Sequence, residues 1–271
     1  MSVRRFVRGT VPWDRLEAVA REVARRYDEP TVRAEFLDAD NWFSTPFVVN
    51  DEYFVKVVTS QNATVHALFT GMRNLGVFSS GTEGFFEPFD DAAAMAAHEY
   101  EAARRMREAG LNVPRPLETF EFDGLGVLVL EYLPDFTPLD ELPTAEIEAH
   151  VDDLFAELRA MHDHGVAHGD LRGENVLLSD GELYFIDATN VREERADAAH
   201  AYDLACALAV LEPLVGASVA VAGARGHYDG DDLLAAWEFL DFVNIRPDHD
   251  FDAGALKGEI EAAAAAADRP E

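Results

Sequence analysis

Residues 168–175 read His168-Gly-Asp-Leu-Arg-Gly-Glu-Asn175, and after two short apolar runs the chain reaches Phe185-Ile-Asp187. Asp170 lies on a predicted loop, Asn175 stands five positions on, and Asp187 follows twelve further, at the end of a predicted strand hairpin. Moving a phosphoryl group needs a carboxylate that orients the attacking hydroxyl or water. It also needs oxygen ligands that hold magnesium on nucleotide phosphates. Asp170 suits the first task, and Asn175 with Asp187 the second. A capping Asp and two turn residues would account for each side chain alone, but not for the ordered set.

Working outward, residues 145–163 place Ile147, Val151, Leu154, Leu158 and Met161 on one helical face. Downstream, Asn175-Val-Leu-Leu178 and Leu183-Tyr-Phe-Ile186 flank the turn Ser179-Asp-Gly181, and the remainder reads as helix to its Ala-rich end. The run 204–224 is apolar enough to resemble a membrane span. Glu212-Pro213 and Gly216 interrupt it, which predicts a buried helix, a turn and a second apolar segment. The upstream half differs in character. An amphipathic helix over 12–27 carries Leu16, Val19, Val23 and Tyr27 at helical spacing, and strands follow at Val32–Leu37, Pro46–Val49 and Tyr53–Val58, the last two joined as a hairpin at Asn50-Asp51. Residues 59–90 lack clean periodicity and read as an excursion with one short helix. A helix from Asp91 to Ala109 stops at Gly110, and a second hairpin, 119–122 with 125–132, turns at Asp123-Gly124.

The 271 residues carry 52 acidic and 22 basic side chains, a formal charge of −30. Such a surface excludes nucleic-acid binding by a general basic face, which needs clustered Lys and Arg. With 48% hydrophobic and 10% aromatic residues, the chain has enough apolar material for a core, so it is globular with an acidic skin. Lys56 and Lys257 are the only lysines; the other twenty cations are arginines. An acidic excess with lysine nearly eliminated fits a halophilic protein in multimolar salt, where the Debye length is about 3 Å at 1 M. The single cysteine, Cys206, excludes an intramolecular disulfide and reads as a small buried residue. No apolar stretch follows the arginines of Met1-Ser-Val-Arg-Arg-Phe6, so the expectation is a cytoplasmic protein without membrane attachment.

Against that background Lys56, inside the strand Tyr53-Phe-Val-Lys-Val-Val58, is a candidate phosphate ligand, because a flexible point charge and a planar fork are not interchangeable at a shaped phosphate site. The following helix offers Glu99, Glu101 and Glu108 as carboxylates to hold it.

The run from Glu99 through Ala109-Gly110-Leu-Asn-Val-Pro114-Arg-Pro116, together with Val166-Ala-His-Gly-Asp170 and Ile186-Asp187-Ala-Thr-Asn190, resembles the RIO-type atypical protein kinases over residues 45 to 210. The resemblance selects Glu99 as the lysine's partner, with Glu101 still open because sequence does not set the helix phase. It implies an α+β, two-lobed protein-kinase-like fold: a helical extension at 1–30, a strand-rich N-lobe at 31–132 with one main helix and an insertion at 59–90, and a helical C-lobe at 133–271. About fifteen residues separate Asp187 from the next helix, too few for a long activation loop. Implied too are ATP and Mg2+ in the cleft, Lys56 and Glu99 placing phosphates, Asp170 orienting the nucleophile, and Asn175 and Asp187 holding magnesium. The connector Leu130-Glu131-Tyr-Leu133 would meet the adenine through backbone groups of Glu131 and Leu133. The activity implied is Ser/Thr phosphorylation, or an ATPase switch working through a phosphoaspartate in ribosome-subunit maturation, with a protein or ribosomal acceptor. A small-molecule phosphotransferase of the aminoglycoside type and a nucleotide-binding module without turnover are the alternatives.

Two departures stand out. The expected glycine-rich loop is replaced by Asp38-Ala-Asp-Asn-Trp-Phe-Ser-Thr-Pro46, leaving Ser44 and Thr45 to approach phosphate. Arg172 takes a position usually held by serine in RIO kinases, which makes it a candidate γ-phosphate contact or a surface salt bridge. Asp203, in Tyr202-Asp-Leu-Ala205, reads as a brace for the loop. His162, His164 and His168 are close in sequence, but the first two end a helix and the third has its own role in the loop, against a zinc site.

Overall fold

The computed structural model describes residues 11–37, 44–64, 70, 89–188, 196–246 and 249–267, and these divide into two compact units. The first takes the described residues up to 70 together with 89–104 and Pro114–Pro134; the second takes Arg105–Val113 and the chain from Asp135 onward.

In the first unit, α1 (Trp13–Arg26) precedes β1 (Ala34–Phe36), β2 (Thr45–Val49) and β3 (Tyr53–Val58); α2 (Ala92–Glu108), β4 (Pro116–Phe122) and β5 (Leu125–Glu131) follow. The strands form an antiparallel sheet in the order β1-β2-β3-β5-β4. Both tight hairpins turn on residues that tolerate positive φ: Asn50 and Asp51 at 55° and 56°, Asp123 and Gly124 at 50° and 72°. Alternation along the strands then assigns the two faces. Tyr53, Val55 and Val57 of β3 and Leu125, Val127 and Val129 of β5 pack with Leu16, Val19, Ala20 and Val23 of α1. Burial of each larger apolar side chain contributes about 1.5–3 kcal/mol, so α1 is one wall of this core. On the opposite face Val58 meets Ala92 and Met95, and Leu128 and Leu130 meet Ala96. Gly126 permits the approach, since a Cβ there would lie 2.0 Å from the Ala92 carbonyl oxygen. Of the predicted excursion at 59–90, residues 60–64 are helical, and 65–69 and 71–88 lie outside the described residues.

The second unit holds a small antiparallel sheet of β6 (Thr137–Pro138), β7 (Val176–Ser179) and β8 (Glu182–Phe185), in that order. Its helices are α3 (Thr144–Asp163), α4 (Ala196–Val215), α5 (Ala217–Ala224), α6 (Gly230–Trp237), α7 (Leu240–Asn244) and α8 (Ala253–Ala267). Helix α4 touches all five others. Its length and apolarity would suffice to cross a bilayer, but Leu204, Cys206, Leu208 and Leu211 are buried among the neighbouring helices, as suits a helix that is apolar all round. The predicted break at Glu212-Pro213 is corrected. Pro213 stays within α4, forfeiting one intrahelical bond close to the helix end. The chain breaks instead at Gly216, whose φ of 87° suits a residue without Cβ.

Candidate active site

In the first unit, alternation in β3 turns Lys56 away from α1 and onto the face covered by α2, where Nζ lies 2.5 Å from Glu99 Oε1. Both side chains are withdrawn from solvent, and a buried ammonium is tolerated because the carboxylate meets it. Glu101, two residues on, pairs instead with Arg104 at 2.8 Å on the exposed side of the helix. Thr45 opens β2 opposite Val57, with Ser44 just before it; residues 38–43 of the glycine-free loop lie outside the described residues. At the end of β5 the N–H of Glu131 donates to the Arg115 carbonyl, and that of Tyr132 to the Glu52 carbonyl, both at 2.9 Å. The Glu131 carboxylate pairs with Arg115 at 3.2 Å, and Leu133 follows, half-buried.

The loop of the second unit is held from inside. Asp203, fully buried on α4, accepts the N–H of His168 at 2.6 Å on one oxygen and that of Gly169 at 2.7 Å on the other. One carboxylate thereby satisfies two interior backbone donors that no ladder reaches. Burial lowers the His168 imidazole below the usual histidine range. The neutral ring donates from Nε2 to the Ile186 carbonyl at 2.9 Å, while Nδ1 accepts from the Asp170 N–H at 3.3 Å. Asn175 Nδ2 donates to the Asp170 carbonyl at 2.8 Å, and the Ile186 N–H donates to the Asn175 carbonyl at 3.0 Å. A single hydrogen-bond set thus connects Asp170, Asn175 and the residue before Asp187. Asp187 has φ 62°, a left-handed conformation uncommon for residues with side chains and most accessible to Asp and Asn.

The Asp170 carboxylate sits between two guanidinium groups. Arg246 Nη2 donates to Oδ1 at 2.9 Å, and Arg172 Nε lies 3.4 Å from Oδ2. Arg172 also pairs with Glu174 through Nη1, and both of these contacts are ion pairs within the loop. The Glu174 carboxyl is pushed up by burial, opposed by Arg172 and reinforced by Asp140, Asp170 and Asp187. Sequence reading missed Arg246. It belongs to no motif, lies 76 residues from Asp170, and is one arginine among twenty, where a scarcity argument that singles out a lysine is blind.

The donor chemistry fits magnesium. Asn175 commits its amide nitrogen to Asp170, so a magnesium ion would be met by its Oδ1 and by the Asp187 carboxylate; hard oxygens from one or two residues, completed by phosphates and water, are what this ion takes. Among the described residues no group of three or more His, Cys, Asp or Glu is placed to hold a metal. The three histidines separate: His162 lies between Tyr228 Oη (3.0 Å) and Asp203 (3.4 Å), His164 meets the Ala160 carbonyl, and His168 the Ile186 carbonyl. Cys206 is buried, and burial pushes its thiol up to about 12.

Residues 85–209 match the family model of the RIO domain. Over 88 residues the chain is 34% identical to the KEOPS complex subunit Bud32 of Pyrococcus abyssi (strain GE5 / Orsay), an alignment covering 31% of this chain and 39% of that protein. The chain therefore aligns with about two fifths of the curated relative's length. Among solved structures, an aminoglycoside-3'-phosphotransferase of type VIII superposes with a TM-score of 0.50 at 18% identity, covering 83% of this chain and 98% of that one. A putative fructosamine-3-kinase from Haemophilus somnus 129PT gives 0.51 at 10% identity, with 92% and 97% covered. At those identities the structures speak for the fold alone, which is α+β and protein-kinase-like. The RIO match takes in Glu99, Asp170, Asn175, Asp187 and Asp203, and the Bud32 similarity points to the same RIO-type atypical kinases as the proteins this stretch resembles.

Proposed function

We propose that the chain transfers the γ-phosphoryl group of ATP with Mg2+, as a RIO-like serine/threonine kinase, the Asp187 carboxylate replacing the hydroxyl and water then hydrolysing the phosphoaspartate when it runs as an ATPase switch. The observation that carries this reading is the hydrogen-bond set that ties Asp170, Asn175 and Ile186-Asp187 to the His168 ring, with Asp203 beneath it. In this reading Lys56, held by Glu99, and the more peripheral Ser44, Thr45 and Arg172 contact phosphates, and the adenine meets backbone groups of Glu131 and Leu133. Asn175 and Asp187 hold magnesium, which when bound neutralises phosphate charge. Asp170 orients the acceptor oxygen, which bonds to the γ-phosphorus as the bond to the β,γ-bridging oxygen breaks. ADP leaves, and the acceptor proton passes by way of Asp170 to solvent. A protein or ribosomal acceptor and a salt-rich cytoplasm complete the proposal.

Magnesium-dependent ATP turnover, measured in molar KCl, tests it. Wild-type turnover that is lost in both Asp187→Ala and Lys56→Ala is expected. Tight nucleotide binding with no turnover would identify a binding module instead. A hydroxylamine-sensitive phosphoprotein that disappears in Asp187→Asn marks the ATPase form; phosphate on Ser or Thr of an added protein marks the kinase form.

A further inference from the structure

The backbone of Asp170 is fixed by Asn175 and His168, but its carboxylate is held from a different part of the unit. Arg246, just beyond α7, is only 8% exposed and donates through Nη2 to Asp170 Oδ1 at 2.9 Å. Through Nη1 it donates to the hydroxyl of Tyr202, and its guanidinium carbon lies 6.0 Å from the Tyr202 ring centroid. Tyr202 is in turn fully buried on α4, between Phe239 and Phe242 at ring distances of 6.0 and 5.7 Å. The guanidinium is thus clamped from behind while it grips the carboxylate in front. Burying an arginine is costly, and an apolar residue of similar volume commonly serves stability as well or better. In a chain with 22 cations against 52 acids, a buried arginine on the one carboxylate proposed to orient the nucleophile has a chemical consequence. It selects a single rotamer of Asp170. Residue 246 lies beyond the stretch matched to the RIO domain, which ends at 209.

We propose that Arg246 is a positioning residue for phosphoryl transfer, anchored by Tyr202, that fixes the Asp170 carboxylate in the orientation that meets the acceptor. The proposal rests on the functional reading above and adds to it a residue from outside the catalytic loop.

The test is steady-state ATP turnover of the full chain in molar KCl, for wild type, Arg246→Gln, Arg246→Lys and Tyr202→Phe. Arg246→Gln is expected to lower kcat by about ten- to hundredfold, the scale of a misplaced reacting group, with the KM for ATP within about twofold of wild type. Arg246→Lys restores part of kcat, and Tyr202→Phe loses a smaller part. An unchanged kcat in Arg246→Gln overturns the proposal, as does an equal rise in KM and fall in nucleotide affinity with kcat intact. Should Arg246→Gln fail to fold, Tyr202→Phe decides, and wild-type kcat overturns the proposal. A wild-type chain without turnover would remove this proposal together with the functional reading, whereas turnover that ignores these substitutions removes this one alone.

Discussion

Replacing Asp203 with asparagine probes the brace under the loop at 168–175. The carboxylate receives His168 N–H on one oxygen at 2.6 Å and Gly169 N–H on the other at 2.7 Å, with no solvent exposure. An amide keeps one acceptor and turns an NH2 group toward the second backbone donor. One charge-assisted hydrogen bond, about 1.5–3 kcal/mol, is lost, and the orphaned buried donor costs about 1–3 kcal/mol more. The expected destabilisation is roughly 3–5 kcal/mol. At about 2–4 °C per kcal/mol for chains near this size, the melting midpoint falls by on the order of 10 °C. The assay is a thermal melt in molar KCl, paired with hydrogen exchange at the His168 and Gly169 amides, which exchange faster in the variant. Turnover falls as well, because Asp170 follows directly on the two braced residues. A variant that melts within about 1 °C of wild type, with both amides equally protected, would show that the two N–H bonds do not hold the loop.

Three further outcomes follow from the packing and the titrating groups. Lys56→Met and Glu99→Gln both abolish turnover, but they differ in stability: methionine fills the buried stem, whereas glutamine withdraws the opposite charge from an ammonium that is 6% exposed, at a cost of up to about 3–5 kcal/mol; a lower melting midpoint for Lys56→Met than for Glu99→Gln would refute this. Gly126→Ala drives a methyl to 2.0 Å from the Ala92 carbonyl and should cost about 1–3 kcal/mol or more, read as a lowered urea midpoint; wild-type stability would mean that α2 is not seated there. Glu157 has Oε2 without a hydrogen-bond partner, and its carboxyl is pushed up to about 7 by burial and then by Glu182 and Asp153. Its folded value lies above the unfolded 4.5, so its contribution to stability is complete below about pH 4.5 and is lost as pH rises through about 7. Glu157→Gln should therefore gain about 1–2 kcal/mol over wild type at pH 8, the figure being reduced for its partial exposure, and no gain at pH 8 would contradict the assignment.

Where the determinants are local, the sequence is a sufficient guide. Asn50-Asp51 and Asp123-Gly124 announce their hairpins because these residues accept positive φ, and period-two alternation in β3 and β5 places Lys56 on one face of the sheet. The choice between Glu99 and Glu101 shows where local reading stops. Residues two apart on a helix point about 200° away from each other, so only one can face the sheet. The deciding contacts are those of Ala92 beside Gly126 and of Ala96 on Leu128 and Leu130; Glu99 continues that stripe at spacings of four and three. That stripe is present in the sequence, but its meaning depends on which strand residues it meets. The same limit hides the partner of α1, whose periodicity reveals an apolar face and not the sheet it covers. It hides Arg246 more completely, because an ion pair across 76 residues leaves no pattern in either segment.

Lysine scarcity needs a second criterion before it indicates function. Lys257 shares the rarity of Lys56, yet its Nζ lies 2.7 Å from Asp241 and 4.1 Å from the Trp237 ring centroid, a contact that joins α8 to the end of α6. A compact ammonium is well suited to the face of an indole, so this lysine has a structural reason to persist. What separates Lys56 is its setting: it is buried in a strand whose neighbours are valines, with its charge held by a carboxylate from a helix on the far side of the core from α1. An apolar residue there would pack as well and spare both charges the loss of water. That Lys56 and Glu99 stand at this point means the sheet carries a charge that its packing does not require, the charge on which the phosphate contact proposed above depends.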